Sequence, residues 1–246
     1  IEKMINTNLN IKTIKNPFPI WIIDNFLEQN ILNKIKQDWV DTNSDIWVGT
    51  RTYINGKPNV LEKGMKNIND IKDMPSSIAN IIKKFHSDEF TKRIEKITKI
   101  NNLVTDGSMR WTGMRLMLEN SNQLIHSDAR RHPENGLRKE LTCLLYLNEN
   151  YIKERDEGCL EVWNDQMTKR IHEIEPLDNR FVVFFNSDKS YHGVPNVKRL
   201  RKALTFCILK DEKTETSRSF AEFVARPEDS KEIDVIGKER AKGKLK

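Results

Sequence analysis

The sequence holds no apolar run of the ~18 to 20 residues that a bilayer-crossing helix needs, and it does not open on a basic segment followed by an apolar one, as a secretory leader would. Ile1 stands first in place of Met, which leaves a removed leader open. Cysteine is scarce and odd in number: Cys143, Cys159 and Cys207, each inside an apolar, strand-like run. A disulfide framework is thereby excluded, and the expectation is reduced thiols packed as small hydrophobes in a cytoplasmic protein. No internal repeat and no low-complexity block occurs, so the chain is not a repeat array. A recognised nucleic-acid motif is also missing. The net charge of +6 arises partly from Lys238, Arg240, Lys242, Lys244 and Lys246 near the end, while elsewhere Lys and Glu are interleaved as on a solvated surface. Neither nucleic acid nor a membrane is therefore an expected partner. Oligomeric state is not readable from the chain.

What is present fits one domain of 246 residues, with an N-terminal strand and supporting helices over 1–110, a β core over 111–210 and a peripheral, partly disordered extension over 211–246. Pro17–Asp24 is a short apolar run that reads as a strand. Leu27, Ile31, Ile35 and Trp39 recur every fourth residue and predict an amphipathic helix. The polar segment Asp41–Asp73 reads as loop, with a hairpin at Asn55-Gly56. Ile78, Ile81, Ile82 and Phe85 make a second helical stripe. Ser87, followed by Asp88 and Glu89, is placed to cap a third helix that buries Phe90, Ile94 and Ile97.

From Trp111 onward the texture changes to strands: Trp111–Leu118, Gln123–Asp128, Glu140–Asn148, Cys159–Trp163, Arg170–Ile174, Phe181–Phe185 and Leu200–Leu209. Turn signals such as Asn135-Gly136, Glu157-Gly158 and Asp178-Asn179 separate several of them. So many strands in series, with too little helix between them for βαβ units, predict an antiparallel sandwich or barrel, and a jelly roll fits the count.

The chemistry-bearing residues gather on these strands. In an extended strand, residues i and i+2 face the same side, so His126 and Asp128 can meet one ion. His192, far downstream in Ser190–Pro195, offers a second imidazole. Two histidines and one carboxylate with open positions opposite form the facial triad that suits Fe(II), whereas a four-ligand cage would suit structural zinc. Taken alone, His126-x-Asp128 is either such a half-site or a purely structural pair. His86 at a helix end, His132 in a Pro/Asn/Gly loop and His172 in a polar alternation have no spaced partner and read as surface residues.

Four signatures then occur in order: His126-x-Asp128, Leu145-Tyr146-Leu147-Asn148, Gly158–Trp163, and His192 followed nine residues later by Arg201. In this the stretch Trp111–Lys210 resembles the catalytic core of the Fe(II)/2-oxoglutarate-dependent oxygenases, in particular their prolyl 4-hydroxylase-like branch, and a softer similarity extends upstream through Pro17–Asp24 and Ser87. The resemblance implies a double-stranded β-helix (jelly-roll, cupin-like) core flanked by helices. It further implies Fe(II) held by His126, Asp128 and His192, with 2-oxoglutarate and O2 as co-substrates and ascorbate as a further cofactor. Arg201, with Tyr146 beside it, would then hold the far carboxylate of 2-oxoglutarate. The reaction it implies is hydroxylation of an unactivated C–H bond, of a prolyl residue or a free amino acid, with release of succinate and CO2.

The residues themselves bear on these roles. A dicarboxylate whose 2-oxo end meets iron needs its other carboxylate neutralised inside an apolar barrel, which a guanidinium does with two parallel charge-assisted hydrogen bonds. Strand alternation puts the small residues Ala203, Thr205 and Cys207 on Arg201's face, while Arg199 and Lys202 fall at other positions or on the opposite face. The bland alternatives are a surface arginine at a strand start and a tyrosine that merely packs in the core. Arg130 and Arg131, just past Asp128, are either a solvated pair or a contact for an anionic substrate. Two departures from the family pattern stand out: Glu157-Gly158 where two glycines are usual, and Met114–Leu118 without the tyrosine that some relatives carry near the co-substrate. The rival reading is a non-redox, cupin-like metal-binding protein or an inactive interaction module on the same fold, and neither would require Arg201 and Tyr146 to point toward the metal. The presence of Asp128 argues against a halogenase, in which chloride takes the carboxylate's place.

Overall fold

The computed structural model describes residues 4–214 and 218–244; Lys246 of the basic tail lies outside them. Nearly all the strands join one curled antiparallel sheet, in the order 11–14, 20–23, 180–185, 137–146, 201–213, 113–127, 192–194, 160–163, 170–174. The strand Gly113–Ser127 explains the curl. Its first half pairs with Arg201–Lys213, Met117 opposite Arg201, and its second half pairs with His192–Val194, His126 opposite His192. Between the halves Asn120 sits at φ 61°, a left-handed conformation that asparagine tolerates and that turns the strand. Two strands expected on either side of this point are thus one bent strand, and the fold is the mainly β, half-barrel jelly roll that the strand count predicts.

Alternation along the central strands builds two cores, one on each face of the sheet. Phe181, Val183, Leu141, Cys143, Leu145, Leu204, Phe206 and Ile208 face the N-terminal helices Gln29–Gln37, Ser76–Phe85 and Asp88–Thr98. There Phe181 stacks on Phe26 at 4.1 Å and Phe85 on Phe206 at 4.9 Å. Val182, Phe184, Tyr146 and Ala203 face the barrel interior with Ile20, Ile22, Leu160 and Val162. Because both faces are covered, these strands read as continuous apolar runs in place of an alternation. Ser87 caps the third helix as expected, its Oγ accepting from Phe90 N at 3.2 Å.

The segment Asp41–Asp73 does contain the hairpin Tyr53–Ile54/Lys57–Pro58, with Asn55 and Gly56 both at positive φ as a two-residue turn requires. The structure corrects the remainder of that loop reading: Glu62–Ile68 is a strand paired along Gly113–Ser127, Asn67 opposite Arg115. It carries only two large apolar residues, so periodicity does not announce it. The tail also differs from expectation. Glu222–Phe223 adds to the sheet opposite Ser127 and His126, and Glu232–Ala241 is a helix that buries Ile233 and Gly237. All three cysteines are buried free thiols.

Candidate active site

Sheet register, more than spacing, assembles the metal-type cluster. His126 ends one strand, His192 begins its neighbour, and the two are Cα partners with ring centroids 4.5 Å apart. Asp128 follows two residues after His126, and the potential ligand atoms of all three lie within 4.8 Å of one another. Asp128 Oδ1 is 3.5 Å from His126 Nε2 and 3.8 Å from His192 Nε2.

The second atom of each group is fixed by a partner. His126 Nδ1 lies 2.8 Å from the Leu124 carbonyl and His192 Nδ1 2.8 Å from the Ser190 carbonyl. A carbonyl only accepts, so each Nδ1 carries the proton and each neutral ring turns its Nε2 lone pair toward Asp128. Asp128 Oδ2 accepts from Lys139 Nζ and Thr142 Oγ1, both at 2.7 Å. The Asn186 amide, oriented with its nitrogen toward Asp128, donates to the same oxygen at 3.3 Å. One carboxylate oxygen and two imidazole lone pairs are thus left converging on one point, and a metal ion fits this donor set.

The electrostatics agree. Burial pushes the Asp128 carboxyl up, but the attraction of the Lys139 ammonium leads the opposing effects, and the group is held well below the usual carboxylate range. Burial, reinforced by His126 and opposed by Asp128, pushes His192 down to about 4, so this ring is a neutral donor at ordinary pH. Phe223 stacks on His126 at 4.9 Å, and Phe184 lies 4.4 Å from His192, so apolar walls enclose the cluster.

Deeper in the barrel Arg201 is 8 % exposed and Tyr146 fully buried. Arg201 Nε donates to the Gly158 carbonyl at 3.0 Å, Nη1 to Met117 Sδ at 3.5 Å and Nη2 to Tyr146 Oη at 3.2 Å, the guanidinium lying over the tyrosine ring at 4.8 Å. No carboxylate among the described residues pairs with it, and a buried, uncompensated guanidinium is costly unless an anion arrives. Gly158 has φ +75°, and a Cβ there would come within 3.4 Å of Arg201 Cδ and 3.2 Å of Val197 Cγ2, so glycine supplies both the turn and the close approach. Glu157 before it also adopts positive φ, at 49°, and turns outward to Lys198. Burial pushes the Tyr146 phenol up against the opposing pull of Arg201, so it keeps its proton and can donate.

One cavity of about 290 Å³ is lined by His126, Asp128, His192 and Arg201, as well as by Lys139, Thr142, Ala203, Thr205, Arg115 and Trp111, while Tyr146 stands behind Arg201 and off the cavity wall. Lys202, on the opposite face as expected, lies over the outer Trp39 ring at 5.6 Å. Arg130 and Arg131 do not line the cavity; the Arg130 side chain bonds the Asn186 carbonyl. His132 is corrected outright. It is fully buried, with Nε2 3.2 Å from Asp106 and 3.0 Å from Ser108 Oγ. His86 and His172 are half-buried and stand away from the cluster.

Sequence reasoning missed Lys139, Thr142, Asn186 and Arg115. Thr142 and Lys139 sit four and seven residues before Tyr146 on its own strand, which was the available signal. Arg115 lies within Met114–Leu118, the segment that lacks the tyrosine some relatives carry. Burial pushes its guanidinium down to about 10 against the opposing pull of Glu62, so it remains a cation at neutral pH.

A curled antiparallel half-barrel that presents His, Asp and His in one cavity, together with a buried Arg that has a Tyr behind it and no carboxylate partner among the described residues, is the core of a 2-oxoglutarate-dependent non-haem iron oxygenase. The comparisons agree: residues 113–208 match the model of the 2OG-Fe(II) oxygenase superfamily. No curated protein matches. The fold is shared with a Trichoplax adhaerens prolyl hydroxylase solved with a hypoxia-inducible-factor peptide fragment (18 % identity, 78 % of this chain and 84 % of that one, TM-score 0.58). It is likewise similar to a Pseudomonas putida prolyl-4-hydroxylase (16 %, 78 % and 93 %, 0.57). A Phytophthora capsici prolyl 4-hydroxylase matches 90 % of this chain and 68 % of its own at 16 % identity, with a TM-score of 0.54. The superfamily's reaction requires Fe(II), 2-oxoglutarate and O2, and the converging donor set fits the iron.

Proposed function

We propose that His126, Asp128 and His192 hold one Fe(II), that Arg201 and Tyr146 hold the far carboxylate of 2-oxoglutarate, and that the enzyme hydroxylates an unactivated C–H bond of a prolyl residue or a free amino acid. The single observation that carries this reading is the buried Arg201 guanidinium, which has a tyrosine donor beside it and no carboxylate partner among the described residues, in the same cavity as the three ligands. A metal protein without an anionic co-substrate has no need of it.

The bound iron and co-substrate supply the oxidative chemistry, in which 2-oxoglutarate and O2 yield succinate and CO2 and one oxygen atom goes to the substrate. The chain's own residues bind and orient. Lys139, Thr142 and Asn186 tie down one oxygen of Asp128, which leaves the other free to join His126 Nε2 and His192 Nε2 as the group that would hold the iron. Leu124 and Ser190 carbonyls lock both imidazole tautomers. Arg201 and the protonated Tyr146 supply two donors for a carboxylate, and Phe184, Phe223 and Leu160 keep water from the reacting end.

Three buried free thiols support a reducing, cytoplasmic setting, and no helix among the described residues is long and apolar enough to cross a membrane. Peptidyl proline is favoured by the likeness to prolyl hydroxylases, and free amino acids by the small cavity. The test is succinate release with Fe(II) and 2-oxoglutarate over a panel of proline-rich peptides and free amino acids, in air and under anaerobic conditions. Substrate-stimulated, oxygen-dependent succinate is expected. A panel that raises no succinate above the substrate-free level would remove prolyl and amino-acid hydroxylation from the reading.

A further inference from the structure

The cavity contains a second arginine that the co-substrate does not account for. Arg115 lies on the cavity-lining face of Gly113–Ser127, between Ala203 on one neighbouring strand and Asn67 on the other. Its Nη1 is tied down, donating to Asn69 Oδ1 at 2.6 Å and to the Met114 carbonyl at 3.2 Å. Its Nε and Nη2 have no hydrogen-bond acceptor, and no carboxylate forms an ion pair with it, among the described residues. Glu62 is the acid on the same wall, and both its oxygens are engaged, one by Arg240 at 2.9 Å and the other by Gln123 at 3.1 Å. The side of the fork that remains open, Nε with Nη2, is the side that receives a carboxylate through two parallel bonds.

Room for this guanidinium is built into the fold. A Cβ on Gly113 would stand 2.4 Å from the Ile68 carbonyl oxygen, 2.5 Å from Arg115 Nη1 and 3.0 Å from Asn69 Oδ1, so glycine is what lets both the neighbouring strand and the guanidinium lie this close. The same distance locates the guanidinium beside Gly113, which pairs with Thr205, whereas that of Arg201 contacts Met117 and Tyr146. Gly113 and Met117 are four residues apart on one strand, roughly 13 Å at the usual rise. One five-carbon dicarboxylate held at Arg201 and chelated at its oxo end does not also reach this rung. Asn69 holds this guanidinium through Nη1, and Asn69 and Trp111 line the same cavity.

We propose that Arg115 anchors a carboxylate of the primary substrate, with Asn67 and Asn69 as neutral flanking groups, so that the molecule hydroxylated carries a free carboxylate close to the reacting carbon. A cavity of about 290 Å³ is at the bottom of the ~300 to 1,000 Å³ range of ligand pockets. 2-Oxoglutarate would occupy part of that space. This rests on the 2-oxoglutarate reading above and deepens it: the α-carboxylate of a free amino acid, the C-terminal carboxylate of a peptide and an acidic side chain next to the target residue share the required chemistry.

The experiment is calorimetric titration of the anaerobic Fe(II)·2-oxoglutarate protein with matched acid and amide probes. These are L-proline and L-prolinamide, a proline-terminated peptide as free acid and as amide, and an amidated peptide with Asp or Asn beside proline. At least one acid is expected to bind tenfold or more tighter than its amide. Arg115→Ala and Arg115→Gln should erase that preference, Arg115→Lys should keep part of it, and the pair that shows it identifies the source of the carboxylate. The 2-oxoglutarate absorption band of the anaerobic Fe(II) protein should titrate within about twofold of wild type in all three variants, which also establishes that they fold. Equal binding of every acid and amide, no binding of any acid, a preference that survives Arg115→Ala, or loss of 2-oxoglutarate binding in its place would each overturn the assignment. A wild-type protein that forms no such band at all would instead bring down the underlying reading.

Discussion

At the scale of single residues the site is a set of charges held in place by neutral partners. Arg201 is the sharpest case. If it anchors 2-oxoglutarate as proposed, replacing it by alanine should leave the far carboxylate unpaired in a poorly solvated pocket, a loss of about 3 to 5 kcal/mol or roughly two to four decades of co-substrate affinity. Lysine should restore only part, since it offers a point charge in place of a planar fork. Tyr146→Phe should cost about 0.5 to 1.5 kcal/mol, a typical hydrogen bond. The anaerobic Fe(II) protein, titrated with 2-oxoglutarate and followed by absorption, measures all three; an unchanged curve for Arg201→Ala would assign the anchor elsewhere. His86 gives a prediction away from the metal. Burial lowers its affinity for a proton, against the opposing pull of Asp106. Above its ordinary value of 6.5 neither the folded nor the unfolded chain holds that proton, and below it the unfolded chain takes it up first. Stability should therefore fall with pH in this window, by at most about 1.4 kcal/mol per pH unit for one proton. The urea midpoint of His86→Gln should drop less than wild type between pH 7.5 and 5.5, and equal drops would refute the role of burial. His126, Asp128, His192, Tyr146 and Arg201 were all legible in the sequence because local spacing and motif order mark them. Arg115 and Asn186 were not, because they reach the site through strand pairing that no short motif encodes, and Lys139 is marked only by its place on the strand of Tyr146.

At the scale of elements, the parts read least well are those whose apolar content is low. Glu62–Ile68 turns Met65 and Asn67 toward the cavity, and the helix Glu232–Ala241 buries one isoleucine and one glycine. That glycine shows why the helix belongs to the site. A Cβ on Gly237 would lie 1.9 Å from the Phe223 carbonyl oxygen and 2.7 Å from its carbon, so the helix must move off the strand to accept any side chain. Phe223 in turn is the Cα partner of His126 and stacks on its ring. Gly237→Ala should therefore destabilise the chain by about 1 to 3 kcal/mol, the usual range for overpacking, and weaken iron binding through His126. Gly107, where an added Cβ meets nothing within 4 Å, is the control, and Gly107→Ala should stay within about 0.5 kcal/mol. Urea unfolding and iron titration of the two variants compare them directly, and matching curves would show that the tail helix is dispensable.

At the scale of the whole molecule, the central sheet separates an aromatic core under the helices from a second core that is interrupted by the polar cavity. The interior wall holds Arg201, Arg115, Lys139 and Asp128 together in about 290 Å³ with Glu62, and because Glu62 is taken by Arg240, Asp128 alone is left to answer three cations. The folded state therefore contains electrostatic cost that ligands relieve, and a ligand that binds only the folded chain stabilises it by mass action. At a hundredfold excess over Kd this is about 2.7 kcal/mol. A domain of this size gains roughly 2 to 4 °C in Tm per kcal/mol, so anaerobic Fe(II) with 2-oxoglutarate should raise Tm by about 5 to 11 °C. The increments separate by residue. In Arg201→Ala the metal's share should remain and the co-substrate's share should vanish, because the guanidinium is no ligand. In His126→Ala both should vanish, because 2-oxoglutarate then has no metal to chelate and its far carboxylate alone pairs with Arg201. Thermal unfolding of the three proteins with metal, with 2-oxoglutarate and with both distinguishes these patterns. If 2-oxoglutarate raised Tm fully without metal in wild type, the two anchors would not be acting on one molecule, and the cavity would hold two independent anion and metal sites.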